Sequence, residues 1–164
     1  LAIETKKNVE DKFVALRITN MGGIVKNFPS EIEKLKNLRA LDISWWSGKI
    51  PSIPKEIFSL TNLELLTMTH NKFNDLPGEI DQLKNLKELN IKNNEIKSIP
   101  KEIGKLKNLE TLNLKKNKLE TVPDELLKLE KLERLWLNGN NISKEEENKI
   151  KQDVSNNVNV TFFP

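Results

Sequence analysis

His70 is the only histidine in the chain, and Trp45, Trp46 and Trp136 are its only tryptophans. A histidine can serve as a general base, a metal ligand or a neutral hydrogen-bonding group. Here it has no serine or cysteine partner at triad spacing, and the sequence contains no cysteine at all. Beside Asn71 it reads as a hydrogen-bonded surface residue. The phosphate-binding GxxxxGK[ST], the dinucleotide-binding GxGxxG, the metalloprotease HExxH and the EF-hand loop are all missing. The carboxylates of Asp124 and Glu125 read as solvated charges. The chemistry on offer is therefore recognition rather than catalysis: no catalytic residue, no metal site, no cofactor. Adjacent tryptophans can wall a core, form a carbohydrate or base platform, or make a hot spot for another protein.

The 164 residues suggest one domain. A net charge of +3 is thin for 27 cations, and arginine occurs only at 17, 39 and 134, which disfavours bidentate reading of phosphate or guanine. Lys107, Lys115, Lys116 and Lys118 form a basic region, but Glu110 and Glu120 interrupt it and no aromatic residue accompanies it, which argues against nucleic acid. Without cysteine there is neither a disulfide nor a zinc-thiolate site, a condition compatible with any compartment. No stretch approaches the roughly 20 apolar residues of a membrane span. Opening on Leu1, with no apolar core in LAIETKKNVEDK, the chain reads as a mature or trimmed form.

A repeat positions these residues. Repeat units carrying LxxLxLxxNxL begin at Leu60, Leu83, Leu106 and Leu129, a period of 23 residues; in the first three an apolar residue, Pro and an EI-like pair follow, and the last breaks off. Two upstream turns, one through Phe13 and the other from Leu35, each take 25. The LxL segment alternates as a strand does, giving one short parallel strand per turn. Asn71, Asn94, Asn117 and Asn140 recur where the chain leaves the strand, with amides able to bond backbone groups in a ladder. The prolines at 29, 54, 77, 100 and 123 stiffen the descending segment, and EIxxLxxL has the spacing of a short 3₁₀ or α turn. No unit can bury its leucines alone, so stacking must supply the core.

Over residues 13–142 this in-phase pattern resembles leucine-rich-repeat proteins, specifically the bacterial 23-residue class with LPxEIxxLxxL units common in spirochaetes. The resemblance implies an α/β solenoid, a horseshoe with a parallel concave sheet of about six repeat strands, a convex side of short helical turns, and terminal caps. Residues 1–12 would form an N-terminal cap, with NVEDKFVALRI contributing a short extra strand or helix over the first turn. Residues 143–164 would form the other cap: a helix with Ser143 as N-cap, then a returning strand from VNVTFF with Phe162 or Phe163 sealing the core.

In such a fold the residues beside and between the leucines of LxL face outward. Arg39, Glu64, Lys87 and Glu110 make a row of alternating charge, expected to pair across neighbouring strands. The later turns present Lys, Glu and Asn. The first three present Ala15, Ala40, Leu65, Thr67, Thr69, Trp45 and His70, with Arg17 beside Asp42. An exposed Leu and Trp rimmed by polar groups is the composition of a binding hot spot, unless the longer loops of the first two turns fold over it. Ser44, Thr111 and Asn138 are also expected to face outward. Trp46 falls in the ladder-Asn slot and is expected in the core; Trp45, one position earlier, points to the concave side near Asn20 and His70. Trp136 either packs on the C-terminal cap or marks a second contact. The candidate partner-binding residues are Arg17, Asn20, Asp42, Trp45, Leu65, Thr67, His70 and Trp136.

The functional expectation is a non-enzymatic module, monomeric, that binds a protein partner (a host protein is one candidate) through its concave face. The resemblance implies a secreted or cell-surface location, although the sequence leaves the cytoplasm open. Two alternatives remain: a scaffold segment of a larger signalling protein, and carbohydrate binding through an exposed Trp.

Overall fold

Leucine at every second position of a three-residue segment commits one side chain per strand to the interior, and that is what each turn shows. The computed structural model describes residues 2–7, 14–19, 28–45 and 52–162; for 2–7 and Thr19 only the backbone course is described. Strands β1 (Ala2–Lys7), β2 (Val14–Thr19), β3 (Ala40–Asp42), β4 (Leu65–Thr67), β5 (Glu88–Asn90), β6 (Thr111–Asn113), β7 (Arg134–Trp136) and β8 (Asn159–Thr161) lie in one open sheet in sequence order. From β2 to β8 the pairing is parallel, with Leu16, Leu41, Leu66, Leu89, Leu112, Leu135 and Val160 in register. The six leucines of this row are buried. The architecture is the solenoid horseshoe expected from the repeat.

Opposite the sheet, 3₁₀ turns at Ser30–Lys34, Lys55–Ser59, Gly78–Gln82 and Lys101–Lys105, and a short helix α1 (Asp124–Leu127), return the chain. Each is preceded by one of the five prolines, at φ −60° to −73°. Proline has no N–H to lose there, and its fixed φ prepares the turn. Its carbonyl accepts from the residue three on, as in Ile80 N–H to Pro77 O at 3.1 Å. That residue (Ile32, Ile57, Ile80, Ile103 or Leu126) is buried against the leucines.

The asparagine ladder forms as the sequence implies. Asn117 donates to the Ile91 carbonyl of the preceding turn and to its own turn's Leu114 carbonyl, both at 3.0 Å, and its Oδ1 accepts from Ile96 N–H at 3.1 Å. Asn94 bonds Met68, Ile91 and Phe73 in the same way, and Asn140 bonds Leu114, Leu137 and Leu119. Asn71 begins the series by donating to the Ile43 carbonyl. Two further rows were not read from the sequence. Asn62, Asn85 and Asn108, from the LxNL segments, donate to the carbonyls of Lys36, Thr61 and Lys84, one turn back. Where Lys131 replaces the asparagine, its Nζ donates to Asn108 Oδ1 and ends the row. Asp42, Asn90 and Asn113 each accept the N–H two residues on, from Ser44, Lys92 and Lys115. The repetition of "NL" was the available signal for the first of these rows.

Both ends of the sheet are covered. β1 pairs antiparallel with β2, from Ala2↔Thr19 to Lys7↔Val14, so the extra front strand precedes the NVEDKF segment expected to supply it; residues 8–13 lie outside the described ones. At the other end α2 (Lys144–Asp153) starts at Ser143, whose Oγ accepts from Glu146 N–H. Glu145, Glu146 and Glu147 occupy its positive first turn. Ile150 is buried, Val154, Val158, Val160 and Phe162 pack on the core, and Lys151 lies over the Phe162 ring. Phe163 lies outside the described residues.

Replacing the buried Asn117 by Leu takes the side-chain partner from Ile91 O, Leu114 O and Ile96 N–H among others, so unfolding in urea should show a loss of at least about 2 kcal/mol. An unchanged midpoint would overturn the ladder's energetic role.

Candidate functional site

The outward side chains change character along the sheet. On β2, β3 and β4 the floor is Ala15, Ala40 and Leu65, and with Arg17, Asp42, Thr67 and Glu88 they enclose a shallow depression of about 360 Å³. Small alanines on adjacent strands leave the space, because neither fills the volume above the sheet that the longer side chains beside it would occupy. Arg17 Nε donates to Asp42 Oδ2 at 2.9 Å across β2 and β3. Asp42 is thereby tied twice, since its other oxygen accepts from Ser44 N–H at 2.9 Å. Four of the eight candidate residues thus share one depression.

Two more stand at the ends of these strands. The Trp45 and His70 rings stack with centroids 3.9 Å apart and planes inclined by 10°, and Trp45 is 51% exposed. The Trp45 N–H donates to the Thr69 carbonyl, which continues the strand ladder to this point. His70 Nδ1 lies 3.1 Å from Thr69 Oγ1, which donates to Ser44 Oγ at 3.0 Å, so the imidazole is the donor when the threonine proton is so directed. A chain of hydrogen bonds therefore runs from Arg17 through Asp42, Ser44 and Thr69 to His70. Partial burial lowers the His70 pKa from 6.5, and the charges of Lys92 and Lys116 lower it further. The ring is neutral at neutral pH. Among the described residues no group of three or more His, Cys, Asp or Glu could hold a metal.

Both rings owe their placement to a backbone feature the sequence reading missed. The residue before the ladder position is left-handed in five turns: Trp45 (φ 60°), His70 (56°), Asn93 (59°), Lys116 (53°) and Gly139 (76°). Asn and Gly accept this conformation readily, whereas a Trp is strained there. Gly139 and Asn93 were the available hints.

The remaining expectations resolve as follows. Trp136 is half-buried on β7, between Asn113 on β6 and Thr161 of the returning strand β8, with Lys115 Nζ 5.8 Å from its ring. Three strand spacings, roughly 14 Å, separate it from β4, so it does not join the other candidates. Ser44, Thr69, Thr111 and Asn138, expected on the open face, are buried, and Thr111 is so although it stands in the outward row with Glu88 and Arg134. Ser44 and Thr69 bond each other, and the Arg134 guanidinium covers Thr111 by donating twice to its hydroxyl. Three members of the alternating row pair as expected: Glu64 bridges Arg39 at 3.1 Å and Lys87 at 2.9 Å, and the bond from Lys87 to Glu64 raises the lysine's pKa above its ordinary value. Asn20, the core placement of Trp46 and the loops 20–27 and 46–51 lie outside the described residues.

This arrangement defines a class. Residues 36–96 and 84–142 match the leucine rich repeat family, and the chain belongs to it. A leucine-rich-repeat protein of Leptospira interrogans is similar at 38% identity and TM-score 0.77, over 84% of this chain and 34% of that one. The plant peptide hormone receptor RGFR1, solved in complex with RGF2, matches at 33% identity and TM-score 0.64, over 83% and 21%. An internalin of Listeria monocytogenes shares the fold at 22% identity and TM-score 0.68, over 84% and 38%. The chain therefore spans only about a fifth to two-fifths of the length of these proteins. No curated protein sequence matches it. Leucine-rich-repeat domains commonly act as protein-interaction modules and generally as binding scaffolds rather than enzymes. No described helix is long and apolar enough to cross a membrane.

Two predictions follow from the Trp45–His70 pair. Trp45→Gly should be more stable than Trp45→Ala by about 1 kcal/mol in chemical denaturation, because only glycine relieves the left-handed backbone; equal stabilities would contradict the strain. In NMR titration His70 should show a midpoint below 6.5 that rises in Lys92→Gln. The folded chain then binds this proton less readily than the unfolded chain, so the contribution of His70 to stability is full above 6.5 and is lost as pH falls through the folded pKa.

Proposed function

We propose that the protein is a non-enzymatic recognition module that binds a protein partner on the concave face of β2–β4 and the adjoining Trp45–His70 pair. The observation behind this reading is a half-exposed Trp held in a strained backbone beside the Ala15, Ala40 and Leu65 floor. A Gly or Asn would suit that backbone at lower cost, and the fold gains little from an indole half in water. Large aromatic side chains that bury area on contact are the usual anchors of protein interfaces. The rim, Arg17 with Asp42 and Thr67, supplies orientation.

The 23-residue period and the likeness to the Leptospira protein support placing the chain in the bacterial 23-residue class. They also favour work outside the cell, secreted or at the surface, with a host protein as one candidate partner. The peptide-bound plant receptor lends support to a polypeptide ligand. Division into an N-terminal cap (1–12), repeats (13–142) and a C-terminal cap (143–164), acting as a monomer, completes the proposal.

With a partner in hand, Leu65→Glu and Trp45→Ala should each weaken binding in calorimetry by tenfold or more while the circular dichroism spectrum stays unchanged. Wild-type affinity in both would remove the N-terminal face from the account.

A further inference from the structure

The sequence scatters lysines and glutamates together, but the fold sorts them. Of the four lysines that formed a basic region in the linear sequence, Lys118 pairs with Glu95 at 2.7 Å, and Lys107 belongs to the turn after Lys101–Lys105. Lys115 and Lys116 instead stand at the end of β6, next to Lys92 at the end of β5. Ladder bonds beyond the strands fix this adjacency: His70 N–H to Lys92 O, Asn93 N–H to Lys115 O, and Lys116 N–H to Asn138 O, at 2.8 to 3.1 Å. Parallel turns lie about 4.8 Å apart, so the three lysines leave the backbone along one edge of the sheet. His70, at the start of this row, feels both Lys92 and Lys116.

Among the described residues Lys92, Lys115 and Lys116 make no ion pair, like several other lysines of the chain but here on adjacent turns. The side chains next to them on the same face, Asn90 and Asn113, are neutral amides turned back onto the backbone. Further down β5 the first acid is Glu88, four residues or about 13 Å along the backbone. Glu95 is engaged by Lys118, and Glu64 and Glu110 lie at the opposite edge of the sheet, where the strands begin. The lysine row is framed by aromatic rings, Trp45 on His70 at one end and Trp136 beneath Lys115 at the other.

We infer that this strand-end edge binds an acidic polypeptide segment, whose carboxylates meet Lys92, Lys115 and Lys116 while an apolar residue lies against Trp45. The inference rests on the recognition reading above and adds the chemistry of the partner. Three lysines with no arginine suit separate carboxylates better than a phosphodiester backbone. The other edge of the sheet alternates in sign through the bridged Arg39, Glu64 and Lys87, so it offers a long polyanion no continuous cationic track, whereas a short segment can keep to the basic edge.

The test selects displayed random dodecapeptides on the full chain and measures the synthesised winners by calorimetry. The selected peptides should carry net negative charge and weaken steeply with added NaCl. Lys92→Gln/Lys115→Gln/Lys116→Gln should reduce affinity at least tenfold, and the distant Lys84→Gln/Lys107→Gln/Lys128→Gln should not, with urea midpoints confirming that both fold. Neutral or basic winners, or affinity within twofold in the first triple variant, would overturn the inference. If Leu65→Glu abolishes binding and the triple variant does not, the recognition reading stands and the acidic partner falls. If neither matters, or no peptide is enriched, both fall. A heparin fragment or single-stranded oligonucleotide that binds more tightly than the peptides, through the same lysines, would overturn the choice of a polypeptide.

Discussion

Everything in this chain depends on how backbone groups are satisfied where each short strand ends. A strand of three residues has few ladder bonds of its own, and the chain must leave it at a sharp angle. At that point a buried asparagine amide donates to its own turn and to the one before, while its carbonyl accepts from the descending arm of that earlier turn. Burial makes these bonds count, because an unsatisfied amide there would lose its full solvation. The ladder therefore sets the spacing of the turns, and the leucines fill what that spacing leaves. Asn62, Asn85 and Asn108 repeat the same device where the chain approaches the strands.

Function follows from what this constraint leaves free. With the interior of each turn committed, the strand-face positions and the residue before the ladder slot are the ones free to vary. The latter is held left-handed in turn after turn, which aims its side chain at the strand-end edge regardless of its type. A tryptophan, a histidine and a lysine tolerate that conformation at positions 45, 70 and 116, where asparagine and glycine serve at 93 and 139. The result is an edge of graded chemistry, aromatic at one end and cationic in the middle, beside an alanine-floored depression.

Much of this was legible because a repeat states the same fact several times. Period, strand, ladder, proline and cap at Ser143 could all be read from spacing alone, since each is a local rule repeated in phase. The charge row through Arg39, Glu64 and Lys87 was legible for the same reason. What escaped depends on relations between turns. The burial of Thr111 is set by Arg134, a whole turn away, and that of Ser44 by Thr69. The basic region read from the linear sequence dissolved because Glu110 points from the start of its strand and Lys115 from beyond the end. Trp136 supplies beside Lys115 the aromatic neighbour that the local sequence lacks. The front strand was misplaced because residues 2–7 belong to no repeat and follow no period.

The central claim is that a partner docks on the strand face and strand-end edge of the early turns. Site-specific photo-crosslinking tests it most directly, with a benzophenone amino acid placed singly at positions 65, 67 and 92 and, on the opposite side, at 81, 105 and 128. The account expects covalent capture of the bound partner from the first three positions and none from the others. Capture from the convex positions, with silence at 65 and 67, would contradict it.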